Sequence, residues 1–388
     1  MKIAQIIPTL DRSGAEKQLL LLCRELKKRG HEVHVAVLTR TGELESEFQK
    51  SGIPVTIIGK SLKIDPFSLV RLSRWLKKGQ FEIVQSWLFA ANSYTRAAAS
   101  IAFGRKGTDR PGIIATEMAV DLWKSGYHFR IDRKLADRCD FVVGNSDAVV
   151  AFYRDTVGIA AERLRRIYSG IERDEARKCT PEMKVVARHQ LGMESDAGPV
   201  ILFAGRLAEQ KRVEDLLKAA DILQHLYPKM KLIIAGDGPL RPALEAFCRN
   251  VELTDKVIFA GHCAEMQSLY GAADLVVLPS SYEGLPNVVM EAQLRAMPVV
   301  AAAAPGTIEL VKNRQTGLTF PIGDSTELAR LLQELIRNPE LAERLGNSGH
   351  DMICQDFSVG QMTDDFEHLF NEAKRDRCVK TVKPDKKS

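Results

Sequence analysis

The sequence predicts an α/β protein built from two doubly wound parallel sheets. Short apolar runs alternate with longer segments in which apolar residues recur at helical spacing. A second series of such runs begins at Pro199, and the charged stretch 171–195 between the two series lacks strand period. At 388 residues the chain is long enough for two domains of about 100–200 residues each.

The first series opens with a strand at Ile3–Ile7. An amphipathic helix follows and ends at Gly30, with its apolar stripe formed by Leu19, Leu20, Leu22, Cys23 and Leu26. The remaining short apolar runs of this series predict strands at Val33–Leu38, Val55–Ile58, Phe81–Gln85, Ile113–Thr116 and Phe141–Gly144.

The second series predicts strands at Val200–Ala204, Leu232–Ala235, Val257–Ala260, Leu275–Leu278 and Val299–Ala303. Beyond Gly323 the pattern is mostly helical. These patterns predict an N-terminal domain over 1–171 and a second domain over 172–355. The segment 356–388 is predicted to be a C-terminal helix with a basic tail.

Composition indicates an ordinary globular protein, with 45% hydrophobic and 27% charged residues. No apolar run approaches the roughly 20 residues of a membrane-spanning helix, and the start leads directly into a strand, so we expect a cytoplasmic protein. Seven scattered cysteines without a Cys-x-x-Cys pair indicate neither a disulfide framework nor a zinc site.

The net charge of +5 is small, but its distribution is informative. Basic residues cluster in the first part of the chain and again in the tail, including Arg71, Arg74, Lys77 and Lys78. Two interpretations stay open: solvated helix ends with a basic tail, or weak attraction to anionic lipid headgroups at the inner membrane face. No feature of the sequence indicates a nucleic-acid partner.

The most informative motif follows the strand Leu275–Leu278 and reads Pro-Ser-Ser-Tyr-Glu-Gly-Leu-Pro-Asn-Val-Val-Met-Glu. A turn leads into a helix that begins near Pro286 or Asn287, where asparagine suits a cap and proline the first turn. Such a helix start directs backbone N–H groups and the positive dipole end toward the carboxyl edge of the sheet. The motif therefore predicts a phosphate site.

Two acids flank this turn. Glu283 precedes the helix, and Glu291 lies one turn into it, four residues after Asn287. A carboxylate would repel a bound diphosphate, so we expect these acids to accept hydrogen bonds from sugar hydroxyl groups beyond the phosphates. The alternative is that Glu283 is only a charged residue of the loop and that Glu291 only interacts with the dipole of the helix.

A second candidate element, Gly205-Arg206-Leu-Ala-Glu-Gln-Lys211, follows the first strand of the second domain. Gly205 permits a sharp turn of the backbone. The planar guanidinium group of Arg206 and the compact ammonium group of Lys211 are both suited to binding phosphate oxygens. Two cations can neutralise a leaving diphosphate without a metal, and the sequence has no Asp-x-Asp element. We therefore predict a metal-independent site without a cofactor.

Weaker signals lie elsewhere. Gly14 opens the first helix at a loop of small residues, which an ordinary helix cap explains equally well. Gly236-Asp237-Gly238 is half of a dinucleotide fingerprint and is interpreted as a turn. Gly261 and His262 follow a strand of the second domain where a nucleotide base could lie. His128 is interpreted as a structural or surface histidine.

Taken together, these motifs resemble glycosyltransferase family 4, a retaining family of the GT-B fold also described as glycosyl transferases group 1. The resemblance covers nearly the whole chain and is strongest from 199 to about 320. It is carried by Glu283 and Glu291 with seven residues between them, by the Gly205–Lys211 element, and by Pro305-Gly306-x-x-Glu309. It implies two Rossmann-like domains facing each other across a cleft, with the last helix, about 361–374, returning to the first domain.

The resemblance also implies the roles of individual residues. Arg206 and Lys211 would bind the donor diphosphate, Glu291 the ribose, and Glu283 the transferred sugar. The backbone of Gly284, Leu285, Pro286 and Asn287 would lie against sugar and phosphate, with Gly205 at the turn. Gly14 would border the cleft, and Gly261 and His262 would meet the base. Glu283, Arg206 and Lys211 are accordingly the predicted catalytic residues.

The function implied is hexosyl transfer from a UDP- or GDP-linked sugar to a polysaccharide or a lipid-linked oligosaccharide, with peripheral membrane association. Many relatives carry a first-domain histidine where this sequence reads Thr116-Glu117-Met118. Whether Glu117 or His128 substitutes for it stays open at this point. Two other hypotheses are a nucleotide-sugar epimerase of the same fold and a catalytically silent nucleotide-binding subunit of a polysaccharide assembly complex.

Overall fold

The structure is a computed structural model that describes residues 1–104, 110–173, 181–194, 197–263 and 266–381. Its strands are β1 (Lys2–Ile7), β2 (Glu32–Val37), β3 (Val55–Ile57), β4 (Ile83–Trp87), β5 (Gly112–Glu117), β6 (Phe141–Gly144), β7 (Leu164–Arg166), β8 (Val200–Ala204), β9 (Lys231–Ala235), β10 (Val257–Gly261), β11 (Leu275–Leu278), β12 (Val299–Ala302) and β13 (Leu318–Phe320).

The α-helices follow the strands in alternation over most of the chain. They are α1 (Gly14–Lys28), α2 (Glu45–Lys50), α3 (Pro66–Gly79), α4 (Leu88–Phe103), α5 (Gly126–Ala136), α6 (Asp147–Phe152), α7 (Pro181–Gln190), α8 (Val213–Gln224), α9 (Arg241–Asn250), α10 (Gln267–Ala272), α11 (Asn287–Leu294), α12 (Thr307–Leu310), α13 (Ser325–Arg337), α14 (Pro339–Asp356) and α15 (Val359–Thr381).

The chain divides into two compact units. Unit 1 comprises Met1–Glu172 together with Phe357–Ser388, and unit 2 comprises Arg173–Asp356. The predicted boundaries at 171/172 and 355/356 differ from these by one residue each. The predicted basic tail lies outside the described residues from 382 onward.

Each unit contains a parallel sheet. Among the described residues, the sheet of unit 1 has the strand order β3-β2-β1-β4-β5-β6-β7, and that of unit 2 has the order β10-β9-β8-β11-β12-β13. In both sheets the strand order reverses beside the first strand of the unit, as in doubly wound folds. The predicted pair of Rossmann-like sheets is confirmed.

The last helix belongs to unit 1. On α15 the buried side chains Met362, Phe366 and Phe370 join the core that includes Leu19 and Trp87. Buried apolar area stabilises a fold by roughly 25 cal/mol per Å², so these contacts hold the C-terminal helix on unit 1. The Arg29 guanidinium adds an ion pair with Glu367 of α15, at 2.7 Å.

Four details depart from the prediction. The fourth strand runs from Ile83 to Trp87, two residues later at both ends than predicted, and the Phe81 ring before it packs against Trp75 with ring centroids 4.7 Å apart. The short edge strands β7 and β13 were not predicted, although the equally short edge strand β3 was. Helix α7 forms inside the charged stretch 171–195, where Pro181 occupies its first position.

The five cysteines whose side chains are described are free thiols, and those of Cys179 and Cys378 lie outside the description. Every helix in the described part of the chain is too short or too polar to cross a lipid bilayer.

Candidate functional site

The candidate site of unit 2 lies at the carboxyl ends of β8 and β11, which are neighbours in the sheet. The loops that leave these strands are joined by hydrogen bonds. The Gln210 carbonyl accepts from the Ser281 backbone N–H at 2.9 Å, and the Gln210 side-chain amide donates to the Tyr282 carbonyl at 2.7 Å. These bonds hold the two predicted motifs side by side.

Lys211 and Glu283 meet where the loops are joined. The Lys211 ammonium forms an ion pair with Glu283 Oε1, and the two side chains are only 17% and 10% exposed. Arg206, on the same loop, is exposed and makes no ion pair within the described residues. The next cation along the chain, Arg212, pairs instead with Asp215 at 2.6 Å. Arg206 therefore has charge available for a ligand at this edge.

Helix α11 begins beside these groups, but its first turn differs from the prediction. Pro286 is the N-cap with extended backbone angles, φ −73° and ψ 113°, and Asn287 is the first helical residue. The predicted helix start near Pro286 or Asn287 is confirmed; only the cap differs, because the extended ψ of Pro286 keeps this residue outside the helix and Asn287 is already helical. The Pro286 carbonyl accepts from the N–H groups of Val289 and Met290. The positive end of the helix still lies at the carboxyl edge.

Glu291 lies one turn into α11, on the side that faces α10. Its carboxylate Oε2 accepts a hydrogen bond of 2.8 Å from the Tyr270 hydroxyl. Burial and the Glu291 charge hold the pKa of Tyr270 well above its ordinary value, so the hydroxyl stays a donor. The bond fixes the direction of the carboxylate.

A glycine brings a third loop against the site. Gly306, after β12, has φ +80°, and a Cβ there would lie 1.9 Å from the Gly284 carbonyl oxygen. The Glu283 N–H donates to the Pro305 carbonyl at 3.2 Å. Only glycine permits both the left-handed backbone and this close approach. The loop therefore supports the backbone around Glu283, Gly284 and the buried Leu285.

The strand ends on the other side of β8 carry the remaining predicted residues of unit 2. Gly261 ends β10, and its carbonyl accepts from the Gly236 N–H at 2.6 Å. His262 follows and is exposed. A Cβ on Gly236 would lie 1.9 Å from the Gly205 carbonyl oxygen, so the turn at 236–238 is packed against the Gly205 loop.

In unit 1, Gly14 is the first residue of α1, as predicted for a helix start. His128 lies on α5, where its Nδ1 accepts from the Ser125 N–H at 3.1 Å in a capping box. The His128 ring packs in T-shaped geometry on Phe89 and Trp123. These contacts agree with the structural interpretation of His128.

Glu117 ends β5 in a buried polar cluster. Its Oε1 accepts from the Asn92 amide at 2.9 Å, and its Oε2 lies 3.7 Å from the Lys124 ammonium. Lys124 also pairs with Asp121 and Asp132, at 2.8 and 3.2 Å. Burial raises the pKa of Glu117 to about 7, and the negative charges of Asp132 and Asp121 act in the same direction. The positive charge of the Lys124 ammonium acts in the opposite direction but does not offset the effect of burial.

Three contributors were missed by sequence reasoning. Gln210 joins the loops, Tyr270 orients Glu291, and Gly306 supports the Glu283 backbone. Gly306 stood inside a recognised motif, and Gln210 inside the Gly205–Lys211 element. No sequence signal marks Tyr270, because its contact with α11 depends on tertiary packing.

Two sequence families match the chain in adjacent parts. Residues 191–352 match Glycosyl transferases group 1, and residues 12–175 match Glycosyltransferase Family 4. Alpha-D-kanosaminyltransferase of Streptomyces kanamyceticus is 30% identical over 217 residues, which are 55% of this chain and 55% of that protein.

Two further similarities span nearly the full length. The α-1,4-N-acetyl-D-galactosaminyltransferase of Campylobacter jejuni, named for a diNAcBac-PP-undecaprenol glycan, is 27% identical over 96% of this chain and 99% of its own. The crystal structure of HepE from Anabaena in complex with UDP-glucose superposes with a TM-score of 0.85 at 22% identity, covering 96% of this chain and all of that one. This likeness establishes the fold as GT-B.

Proposed function

This chain belongs to the glycosyltransferases of family 4, and we propose that it moves a sugar, with retention of configuration, from a nucleoside diphosphate donor to a hydroxyl group of a glycan or lipid-linked acceptor. The observation that carries the proposal is that Arg206, Lys211 and the start of α11 all follow the carboxyl ends of the neighbouring strands β8 and β11, with Lys211 paired to Glu283. Ligands of open α/β sheets bind at this edge.

The proposed reaction breaks the bond between the anomeric carbon and the diphosphate oxygen, whose electron pair leaves with the diphosphate. The acceptor oxygen bonds to the anomeric carbon from the same face, and its proton passes to the departing diphosphate oxygen. Arg206, Lys211 and the positive end of α11 stabilise the charge that develops on the leaving group. Preorganised groups of this kind contribute about 3–4 kcal/mol each to transition-state stabilisation.

The carboxylates hold the parts of the donor on either side of the phosphates. Glu291, directed by the Tyr270 hydroxyl, accepts hydrogen bonds from the ribose. Glu283 accepts from hydroxyl groups of the transferred sugar, and Lys211 neutralises its charge beside the diphosphate. The backbone of 284–287 lines the sugar and phosphate, and the base lies at Gly261 and His262.

We propose UDP rather than GDP as the nucleotide, because HepE, of the same fold, was crystallised with UDP-glucose. The undecaprenol-linked glycan in the name of the Campylobacter relative supports a lipid-linked acceptor. Such an acceptor implies a cytoplasmic enzyme that works peripherally at the inner membrane face. Two cations beside a helix start can bind a diphosphate without a metal ion or cofactor, so we propose metal-independent transfer.

The test compares three neutralised cations. UDP release from UDP-glucose and UDP-N-acetylglucosamine, with a membrane extract as acceptor, is measured for Arg206→Gln, Lys211→Gln and the control Arg212→Gln. We expect about a 100-fold or greater loss of rate for the first two and little change for the third. Arg212 pairs with Asp215 of α8 and lies beside Gly323, whereas the partner of Lys211 is Glu283 of the site itself. Equal rates for all three variants would contradict the proposal.

Product analysis separates the alternatives. An epimerase would convert a UDP-sugar to its isomer without acceptor. A silent subunit would bind UDP, as a thermal shift reports, but release none from any sugar donor. If either result were obtained with the intact chain, the corresponding alternative would be the function in place of transferase activity.

A further inference from the structure

We propose that a cavity in unit 2 is a second ligand site, which binds an amphipathic anion and acts on the donor site through Tyr270. The cavity has a volume of about 1230 Å³ and lies at the amino edge of the sheet, where β8, β11 and β12 begin. The proposed donor site lies at the opposite, carboxyl edge. Binding in the cavity is independent of the proposed function, whereas the effect on the donor rests on that function.

Apolar side chains form much of the lining of this cavity. They are Met183 and Val186 of α7, Leu335 and Ile336 of α13, and Met297 and Pro298 before β12. Cavities that bind small molecules are typically lined by apolar side chains, with a few polar groups that fix the orientation of the ligand. The lining therefore suits a ligand with an apolar body.

The cavity also contains a cation without an acidic partner. Arg295 follows α11 and lines the cavity, and it makes no ion pair with any residue that the structure describes. Its guanidinium carbon lies 4.6 Å from the centroid of the Tyr270 ring, and its Nη1 donates to the backbone carbonyl of Glu291 at 2.8 Å. A guanidinium has five N–H donors, so this arginine can bind an anion while it keeps both contacts.

The acids of the lining are either neutralised or exposed to solvent. Asp274 forms ion pairs with Lys184 at 2.8 Å and with Arg188 at 2.7 Å, so its charge is more than offset. Glu182 and Glu343 also line the cavity, but both are exposed, and water and salt screen their charges. The charges of the lining therefore favour an anionic ligand over a cationic one.

Tyr270 connects the cavity to the donor site. The residue lines the cavity and is only 2% exposed, while its hydroxyl donates to Glu291 Oε2 at 2.8 Å. Helix α11 connects the same two places, since it begins at the carboxyl edge with Asn287 and ends just before Arg295. A ligand held by Arg295 beside the Tyr270 ring would restrain α10 against α11 and keep the Glu291 carboxylate in its direction.

The first experiment measures binding in the cavity with two fluorescent probes, at saturating UDP so that the donor site is occupied. The probes are 8-anilinonaphthalene-1-sulfonate and its uncharged analogue N-phenyl-1-naphthylamine, which lacks the sulfonate. We expect the full chain to bind one sulfonate probe, about tenfold or more tightly than the analogue, because hydrogen bonds to charged groups are strong. Arg295→Gln should remove this preference.

A second variant fills the cavity. Ala342 of α14 lines it, so Ala342→Trp should abolish the binding of both probes. The matched control is Ala243→Trp, at an exposed position of α9 outside the lining, which should bind the probes as the wild type does. Thermal unfolding verifies that each variant is folded, and Arg295→Gln still tests the site if Ala342→Trp does not fold.

The second experiment measures the effect on the donor site by calorimetric titration of UDP with and without the sulfonate probe. We expect the probe to lower the UDP dissociation constant about fivefold or more, and UDP to strengthen probe binding by the same factor. Tyr270→Phe keeps the ring and removes the hydrogen bond to Glu291. This variant should bind the probe as the wild type does, while its UDP affinity should not respond to the probe.

Four outcomes would overturn the inference: equal affinity of the wild type for the two probes, probe binding unchanged in a folded Ala342→Trp, UDP affinity that does not respond to the probe, or a response that persists in Tyr270→Phe. A wild-type dimer that Ala342→Trp dissociates in sedimentation velocity, without probe binding, would instead assign the cavity to a second copy of the chain. Probe binding with the expected preference but no UDP binding would contradict the proposed function and leave the ligand site in place.

Discussion

The Lys211 ammonium and the Glu283 carboxylate form an ion pair between residues 72 positions apart in the sequence. The pair joins the loop after β8 to the loop after β11 and is largely shielded from solvent. It thereby couples a group proposed to bind the diphosphate to one proposed to bind the sugar. The consequences of this pair can be measured separately for binding, for transfer and for stability.

Neutralising the two partners should have different effects on the donor. Lys211→Gln should weaken UDP binding, because it removes a cation from the diphosphate. Glu283→Gln should leave the UDP dissociation constant within about threefold of the wild-type value but lower the transfer rate, because its partner is the sugar. A double-mutant cycle on unfolding should give a coupling free energy of about 1–3 kcal/mol. Calorimetric titration measures the UDP dissociation constants, and chemical denaturation measures the coupling free energy. Equal losses of UDP affinity in Lys211→Gln and Glu283→Gln would contradict the separate roles of the two residues.

Removing the Tyr270 hydroxyl should weaken nucleotide binding. Tyr270→Phe deletes the hydrogen bond to Glu291, and a hydrogen bond to a charged group contributes about 1.5–3 kcal/mol. Titration calorimetry should therefore show a higher UDP dissociation constant, because the Glu291 carboxylate is no longer held in a fixed direction. The matched control is Tyr227→Phe, since the Tyr227 hydroxyl is buried without a hydrogen-bond partner among the described residues. UDP affinity unchanged by Tyr270→Phe would show that Glu291 does not depend on this bond.

A methyl group at Gly306 should disrupt the site by displacing the backbone at Gly284. Gly306→Ala places a Cβ 1.9 Å from the Gly284 carbonyl oxygen in addition to the strain of φ +80°. Gly30→Ala is the control, because Gly30 has φ +86° but no heavy atom within 4 Å. We expect about 1 kcal/mol of destabilisation for Gly30→Ala, and a larger loss with weakened UDP binding for Gly306→Ala. Thermal unfolding with and without UDP measures this, and equal effects would mean that the Gly306 contact relaxes without cost.

Glu117 should make stability depend on pH. Its pKa is raised by burial to about 7, so the folded state binds a proton more tightly than the unfolded state. Stability from this group is therefore fully present below about pH 4.5 and is lost as pH rises toward about 7. Glu117→Gln should remove that loss. The stability of the variant relative to the wild type should therefore be greater at pH 8 than at pH 5. The exposed Glu214→Gln is the control, and identical pH profiles of denaturation for wild type and Glu117→Gln would contradict the raised pKa.

The fold was predictable wherever local pattern and tertiary packing agree. Buried parallel strands such as Val200–Ala204 are apolar runs with clear ends, and α1 has a single apolar stripe that ends at Gly30. Edge strands such as Leu164–Arg166 carry charge and too few residues for a period. The helix Pro181–Gln190 was missed because charged residues hide its weak apolar face.

The site was predictable to the extent that it is local. Arg206, Lys211, Glu283 and Glu291 stand in short motifs next to strand ends, and the structure brings Lys211 and Glu283 into contact. The start of α11 was predicted to within one residue, but its cap was assigned to Asn287 because asparagine is a preferred cap residue and proline a preferred first-turn residue. Tyr270 and the buried cluster around Glu117 depend on contacts between elements distant in sequence, which residue spacing does not reveal.

The most direct measurement for the central claim is calorimetric titration of UDP in EDTA and in excess magnesium, on the wild type and on Arg206→Gln/Lys211→Gln. We predict the same dissociation constant for the wild type under both conditions and no measurable binding by the double variant, because the two side chains and α11 hold the diphosphate. Binding that vanishes in EDTA and returns with magnesium, or a double variant that binds UDP as the wild type does, would contradict the account.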